Sequence, residues 1–232
     1  MAEPAPLPTS AAGAWRAGLL ASLGPQSVAM MATFVAFGAA SHAGGMPIGW
    51  MLASCLLVYG MPGQMILLGV PGLPGVLGAT VANARFVPMA VTLGPYLGPR
   101  GWLGAHFIAI TPWVVALRHL PGVHPRLGLA WFLGCGNASW TMGAMAATVG
   151  YVSAGALPVT MRAGLLYANA FYFAMLMAAD LTRPAARPAV LGGLAAAPLA
   201  LWLPPAEGLL LAGLLGGSGA WLWARFRRRR GA

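Results

Sequence analysis

Long apolar runs make up most of the chain, and short segments between them carry most of the charge. A run of about 17–25 apolar residues is long enough to cross a bilayer as a helix. We therefore predict an all-α integral membrane protein with about eight transmembrane helices. The predicted spans cover approximately residues 14–40, 48–70, 74–97, 101–117, 127–151, 156–181, 188–203 and 206–224.

Composition supports this class and favours a transporter core over a passive anchor. The 232 residues are 59% hydrophobic and only 7% charged, whereas a soluble domain carries about 25% charged residues. The 33 glycines and 20 prolines predict that some spans are broken, which membrane proteins tolerate where protein or a water-filled cavity satisfies the backbone. The third span, with Pro88 in its middle, is predicted to be two half-helices or a re-entrant element.

Arginines orient the predicted spans. Arg118 and Arg126 flank one loop, Arg183 and Arg187 lie in another, and both loops fall on the side of the arginine-rich tail. The positive-inside rule then puts both termini in the cytoplasm of a multi-pass protein of the cytoplasmic (inner) membrane. The net charge of +10 indicates contact with anionic membrane lipid at the tail and no nucleic-acid partner.

Three regions follow from this arrangement. We predict a disordered cytosolic N-terminus over residues 1–13, a single transmembrane transporter domain over residues 14–224, and a cytosolic arginine-rich tail over residues 225–232. We expect no enzyme activity, since no histidine follows Ser218 to activate it as a nucleophile. We also expect no metal and no cofactor, because Cys55 and Cys135 lie in apolar runs without a CxxC or Cys/His cluster.

Arg85 is the most unusual residue, because its charge lies in an otherwise apolar segment. An arginine at membrane depth costs roughly 2.5–3.5 kcal/mol on insertion scales. One interpretation is a water-filled substrate path in which the guanidinium holds a carboxylate bidentately, with Asn83 beside it. The alternative is a structural lock in which Arg85 binds helix-end carbonyls or pairs with Asp180.

Residues 82–89 match residues 168–175 at four of eight positions, and Asn83 corresponds to Asn169. The two segments lie in spans that run in opposite directions, so an inverted repeat is one interpretation. Chance matching of alanines and methionines is the other. Asn169 is a candidate binding residue through this similarity alone.

Two further groups offer candidate substrate contacts. Gln64 follows Pro62 and Gly63, and either contacts substrate beside a helix break or bonds between helices. Trp140 and Thr141 lie in a glycine-rich stretch, residues 133–143. Trp140 is a candidate wall of an apolar pocket, although close packing of small residues explains most of this stretch.

Four blocks, in order, resemble the AzlC family, the large subunits of bacterial branched-chain amino-acid exporters. The resemblance covers roughly residues 18–182. It implies export of hydrophobic amino acids, a small hydrophobic AzlD-type partner subunit, and functional roles for Gln64, Asn83, Arg85 and Trp140. The blocks are residues 34–40 (FVAFGAA), 59–64 (YGMPGQ), 83–85 (NAR), and 132–134 (FLG) with 140–144 (WTMGA).

One departure from the family pattern bears on the substrate. Many relatives carry an acidic motif in the fourth span, where this chain has Thr111, Pro112 and Trp113.

The leading hypothesis is a secondary transporter subunit that exports branched-chain or similar small apolar amino acids. The alternatives are a non-transporting membrane scaffold or assembly subunit, and a transporter of another small carboxylate-bearing solute.

Overall fold

The computed structural model describes residues 8–70, 72–156, 158–182, 187–203 and 205–230, and every regular element among them is helical. The predicted all-α class is therefore confirmed. The α-helices are α1 Ala11–Ala21, α2 Pro25–Ala43, α3 Ile48–Ala53, α4 Met61–Gly69, α5 Leu73–Asn83, α6 Val87–Leu97, α7 Ile110–His119, α8 Gly128–Val152, α9 Val159–Asp180, α10 Arg187–Ala196, α11 Leu199–Trp202 and α12 Pro205–Arg230. A π-helical turn covers Ser54–Val58, and 3-10 turns cover Ala84–Phe86, Gly101–Phe107, Leu120–Gly122 and Pro125–Leu127.

Half of the predicted spans, the first, second, fourth and seventh, are divided into shorter helices. The first consists of α1 and α2, whose axes are bent by 67°, and the fourth consists of a 3-10 segment followed by α7. Among the described helices, Leu73–Leu97 is long and apolar enough to cross a membrane, and α1 with α2 passes the same test as a pair. The number of eight transmembrane helices stays a prediction.

The third predicted span differs from the sequence prediction. Instead of two half-helices or a re-entrant element, α5 and α6 join through the 3-10 turn Ala84–Phe86 into one helix of 25 residues, Leu73–Leu97. Pro88 lies just after this turn, so the hydrogen bond that its missing N–H removes is lost where the helix has locally tightened to 3-10 geometry, and the helix continues. The larger break falls in the second span, after Val58.

The long helix α8 packs against both α1 and α2 through glycines. A Cβ atom added at any of four positions would overlap a backbone carbonyl of the facing helix, so only glycine allows these backbones to lie in contact. Of these glycines, Gly134 lies in the glycine-rich stretch for which the sequence predicts small-residue packing. The facing carbonyls belong to Trp131 for Gly18, Trp15 for Gly134, Ala147 for Gly38 and Val35 for Gly150.

Two apolar clusters lie along α8. One surrounds Phe132 in its first half and includes residues of α6 and α7. The other lies against its second half and includes Phe37, Met51 and Tyr59. Tyr59 is the residue at which the second span breaks, so the break is built into a packed core.

The glycine contacts give a test of the packing. Gly38→Ala should lower the thermal unfolding midpoint of the protein in detergent, because overpacking a tight contact costs about 1–3 kcal/mol. Gly164→Ala on α9 is the matched control, since no atom lies within 4 Å of the added methyl and alanine favours a helix. Equal midpoints for the two variants would contradict the proposed contact.

Candidate functional site

The second predicted span is a broken helix. Helix α3 runs into the π-helical turn Ser54–Val58, Tyr59 adopts a left-handed conformation (φ 39°, ψ 47°), and Gly60 is extended before α4 begins. Tyr59 is the only non-glycine residue with positive φ in the part of the chain that the structure describes. Such a conformation costs on the order of 1–3 kcal/mol and persists where the surroundings fix it.

Side chains from three other elements bond to the carbonyl groups that the break leaves free. His106 Nε2 and Trp140 Nε1 both donate to the Leu56 carbonyl, at 2.7 and 3.1 Å. Asn83 Nδ2 donates to the Val58 carbonyl at 2.9 Å. These bonds satisfy carbonyls that would otherwise be costly in an apolar environment, and they tie α5, α8 and the 3-10 segment Gly101–Phe107 to the break.

An aromatic group surrounds one of these bonds. The rings of His106, Phe107 and Trp140 lie edge to face, with centroids 5.5–6.0 Å apart. Because a carbonyl only accepts hydrogen bonds, the contact with Leu56 requires the proton of His106 on Nε2. The indole and the imidazole are thus held in place by both packing and hydrogen bonding.

The opposite side of the break opens on a cavity of about 60 Å³. One water needs roughly 10–15 Å³, so this cavity holds a few waters and would have to widen to take an entire amino acid. Its wall combines the break, α2, the 3-10 turn after α5 and the start of α7. The lining residues are Met30, Thr33, Phe34, Tyr59, Gly60, Met61, Arg85, Phe86, Ala109, Ile110 and Thr111.

Two helix N-termini line this cavity. The first intrahelical bond of α4 runs from Gln64 N to the Gly60 carbonyl, and that of α7 runs from Trp113 N to the Ala109 carbonyl, both at 3.0 Å. Because Pro62 and Pro112 have no N–H, the amides left without a partner within their own helices are those of Met61 and Gly63 in α4 and of Ile110 and Thr111 in α7. Neither terminus has a side-chain cap, so each presents the partial positive charge of a helix N-terminus to the cavity.

Arg85 lies in the same cavity wall. Its guanidinium carbon is 4.9 Å from the centroid of the Phe86 ring, and its buried Nε has no hydrogen-bond partner. The cavity therefore receives one full and two partial positive charges. Arg85 with two helix N-termini is the arrangement by which proteins bind carboxylates and other anions.

Comparison with models of known protein families identifies the family of this chain. A model of the AzlC protein family matches residues 25–157, which is more than half of the chain. The chain belongs to the AzlC family. The match includes the break, Arg85 and the start of α7, and the family is membrane-associated and linked to branched-chain amino-acid transport. No curated protein and no solved structure matches the chain.

In this AzlC chain, Gln64 lies one turn beyond the break. It is completely buried, and its amide lies beside the Cys55 thiol without a hydrogen bond of normal geometry. The hydroxyl groups of Tyr59 and Ser139 are neighbours in the same way. Asn83 Oδ1 has no hydrogen-bond partner. Buried polar atoms without partners are rare in proteins, so Asn83 Oδ1 is the clearest unsatisfied acceptor beside the break.

The other predicted site residues are more dispersed. Thr141 is exposed and donates to the Asn137 carbonyl of its own helix at 2.8 Å, so it does not line the cavity. Trp140 and Asn83 bond to the break itself. The side chain of Asn169 lies outside the described residues, and so the comparison of its surroundings with those of Asn83 stays open.

Several residues of the cavity carry little signal in the sequence. In the sequence Thr111 belongs to a stretch that lacks an acidic motif, whereas the structure places it at the N-terminus of α7. Phe34 and Phe86 are indistinguishable by sequence from other aromatic residues in apolar spans. His106 does not line the cavity but bonds to the break, and its signal in the sequence is that it is the only histidine within a predicted span.

The bond from Asn83 gives a second prediction. Asn83→Leu leaves the Val58 carbonyl without its donor, which should destabilise the protein by about 1–3 kcal/mol. Thr141→Val is the control, because the Asn137 carbonyl keeps its bond within the helix. Thermal unfolding in detergent measures both. A midpoint for Asn83→Leu equal to that of the control would show that the bond does not hold the break.

Proposed function

We propose that this AzlC chain is the large subunit of a secondary transporter that exports branched-chain or similar small apolar amino acids. The observation that carries the proposal is the convergence of Arg85 with the N-termini of α4 and α7 on one cavity. The guanidinium and the free amides bind the substrate carboxylate, and the apolar lining residues contact its side chain. The same chemistry suits another small carboxylate-bearing solute.

The cavity also bears on the scaffold alternative. A purely structural Arg85 would be enclosed in hydrogen bonds with no adjoining space, whereas its Nε is unpartnered and the residue lines a cavity. This favours ligand binding over assembly. In the proposed site, Asn83 and Trp140 position the break, and Gln64 offers its amide one turn away.

The proposed transport requires the cavity to open alternately to each side of the cytoplasmic membrane. The break supplies a place for this motion, because broken helices and their half-helix N-termini form the binding sites of many secondary transporters. We propose a multi-pass arrangement with both termini in the cytoplasm and a small AzlD-type partner subunit. The exposed apolar faces of the described helices agree with contact to lipid or to such a partner.

The role of Arg85 can be tested by valine efflux from cells that lack their own exporters and express the chain with its partner subunit. Arg85→Gln should reduce efflux about 10- to 100-fold, because charge-assisted hydrogen bonds contribute about 1.5–3 kcal/mol. Arg100→Gln, at an exposed position, is the matched control. Efflux at the unaltered rate in Arg85→Gln would remove the proposed carboxylate site.

A substrate analogue separates carboxylate binding from general effects of the substitution. Isobutylamine has the side chain and amine of valine but no carboxylate, so it should not compete with valine efflux. Competition by isobutylamine equal to that by leucine would contradict the assignment of Arg85 and the helix N-termini to the carboxylate.

A further inference from the structure

Phe34 separates the cavity from α8. It lies on α2, lines the cavity and is only 5% exposed. The tip of its ring points at Gly143 on α8, where an added Cβ would lie 3.2 Å from Cζ and 3.3–3.4 Å from the two Cε atoms. A side chain at position 143 would therefore press the ring toward the cavity by a few tenths of an ångström.

This packing limits the movement of the cavity wall. The backbone of α8 lies behind the tip of the ring, and Gly143 leaves at most the space of its missing methyl group for the ring to retreat into. Protein interiors are close-packed and have little other free volume to absorb such a displacement. A larger ligand side chain therefore meets a wall that retreats little, so the widening that an amino acid requires falls on the other walls of the cavity.

The positive groups determine which part of the ligand meets this wall. Arg85 and the starts of α4 and α7 hold the carboxylate in one part of the cavity, so the side chain of the ligand extends toward the apolar lining. The lining on α2 consists of Met30, Thr33 and Phe34. Of these, Phe34 has the largest and most rigid side chain.

We propose that Phe34 sets the upper limit on the size of the side chain that the transported carboxylate can carry, with Gly143 holding the ring in place. This inference rests on the proposed function. It assigns aliphatic side chains to the substrate and excludes aromatic ones. One methylene in an apolar pocket changes selectivity by about 10- to 200-fold, so a change in this wall is measurable.

Two substitutions test the proposal in opposite directions. Phe34→Leu widens the cavity and should raise the ratio of phenylalanine to valine efflux by about tenfold or more. Gly143→Ala pushes the ring into the cavity and should lower the ratio of leucine to valine efflux. Initial rates for valine, leucine and phenylalanine are measured in the same cells, with protein amounts determined by immunoblot.

Phe37→Leu is the matched control. Phe37 lies on the same helix, is fully buried and belongs to the same apolar cluster as Phe34, but it does not line the cavity. Its substitution should leave both ratios unchanged even if it lowers the amount of folded protein. A general loosening of the core would instead shift the ratios in Phe37→Leu as much as in Phe34→Leu.

The outcomes separate this inference from the proposed function. If the unaltered chain exports none of the three amino acids, the proposed function fails and the inference fails with it. If it exports valine but Phe34→Leu keeps the original ratios, or Phe37→Leu changes them equally, the inference alone is overturned. If Phe34→Leu does not accumulate, Gly143→Ala decides, and an unchanged leucine-to-valine ratio overturns the proposal.

Discussion

The hydrogen bonds that Asn83, His106 and Trp140 donate to the carbonyls of the broken helix are the interaction on which the site depends. A helix that ends inside an apolar environment leaves carbonyls without partners, each costly by several kcal/mol. These donors come from α5, a 3-10 segment and α8, elements far apart in sequence. Because they meet at the break, they also bring the walls of the cavity together.

At the break, the free carbonyl groups and the free amide groups of the backbone face different surroundings. The carbonyl end of the break accepts hydrogen bonds from the side chains of Asn83, His106 and Trp140, while its amide end, the start of α4, faces the cavity with the start of α7 and Arg85. The carbonyl groups therefore do not offset the positive charge that Arg85 and the two helix N-termini place at the cavity. In addition, the left-handed conformation of Tyr59 lets the chain change direction between the two ends without a longer loop, so the positive groups stay close to the core.

The sequence predicts the helical class and part of the glycine packing of α8, and it identifies Arg85, because hydropathy and an isolated charge are local signals. It places a candidate break at Pro62 and Gly63, just after the observed one, but it predicts neither its exact position nor the partners of its carbonyls. Tyr59 is unfavourable in a left-handed conformation and adopts it only through its tertiary surroundings. Pro88 is of a helix-breaking residue type, yet the structure absorbs it with the 3-10 turn Ala84–Phe86 and the helix continues. Trp140 is separated from Leu56 by 84 residues.

The amide side chains beside the break bear on how the proposed transporter works. Gln64 is fully buried beside the Cys55 thiol, and Asn83 Oδ1 packs against Gly60 without a donor. A rigid scaffold gains little from burying such weakly bonded groups, because each one costs free energy that an apolar side chain would not. In the proposed transporter, a helix break that exchanges hydrogen bonds as the cavity opens needs donors and acceptors beside it. The amides of Gln64 and Asn83 lie where they can supply both, next to the start of α4.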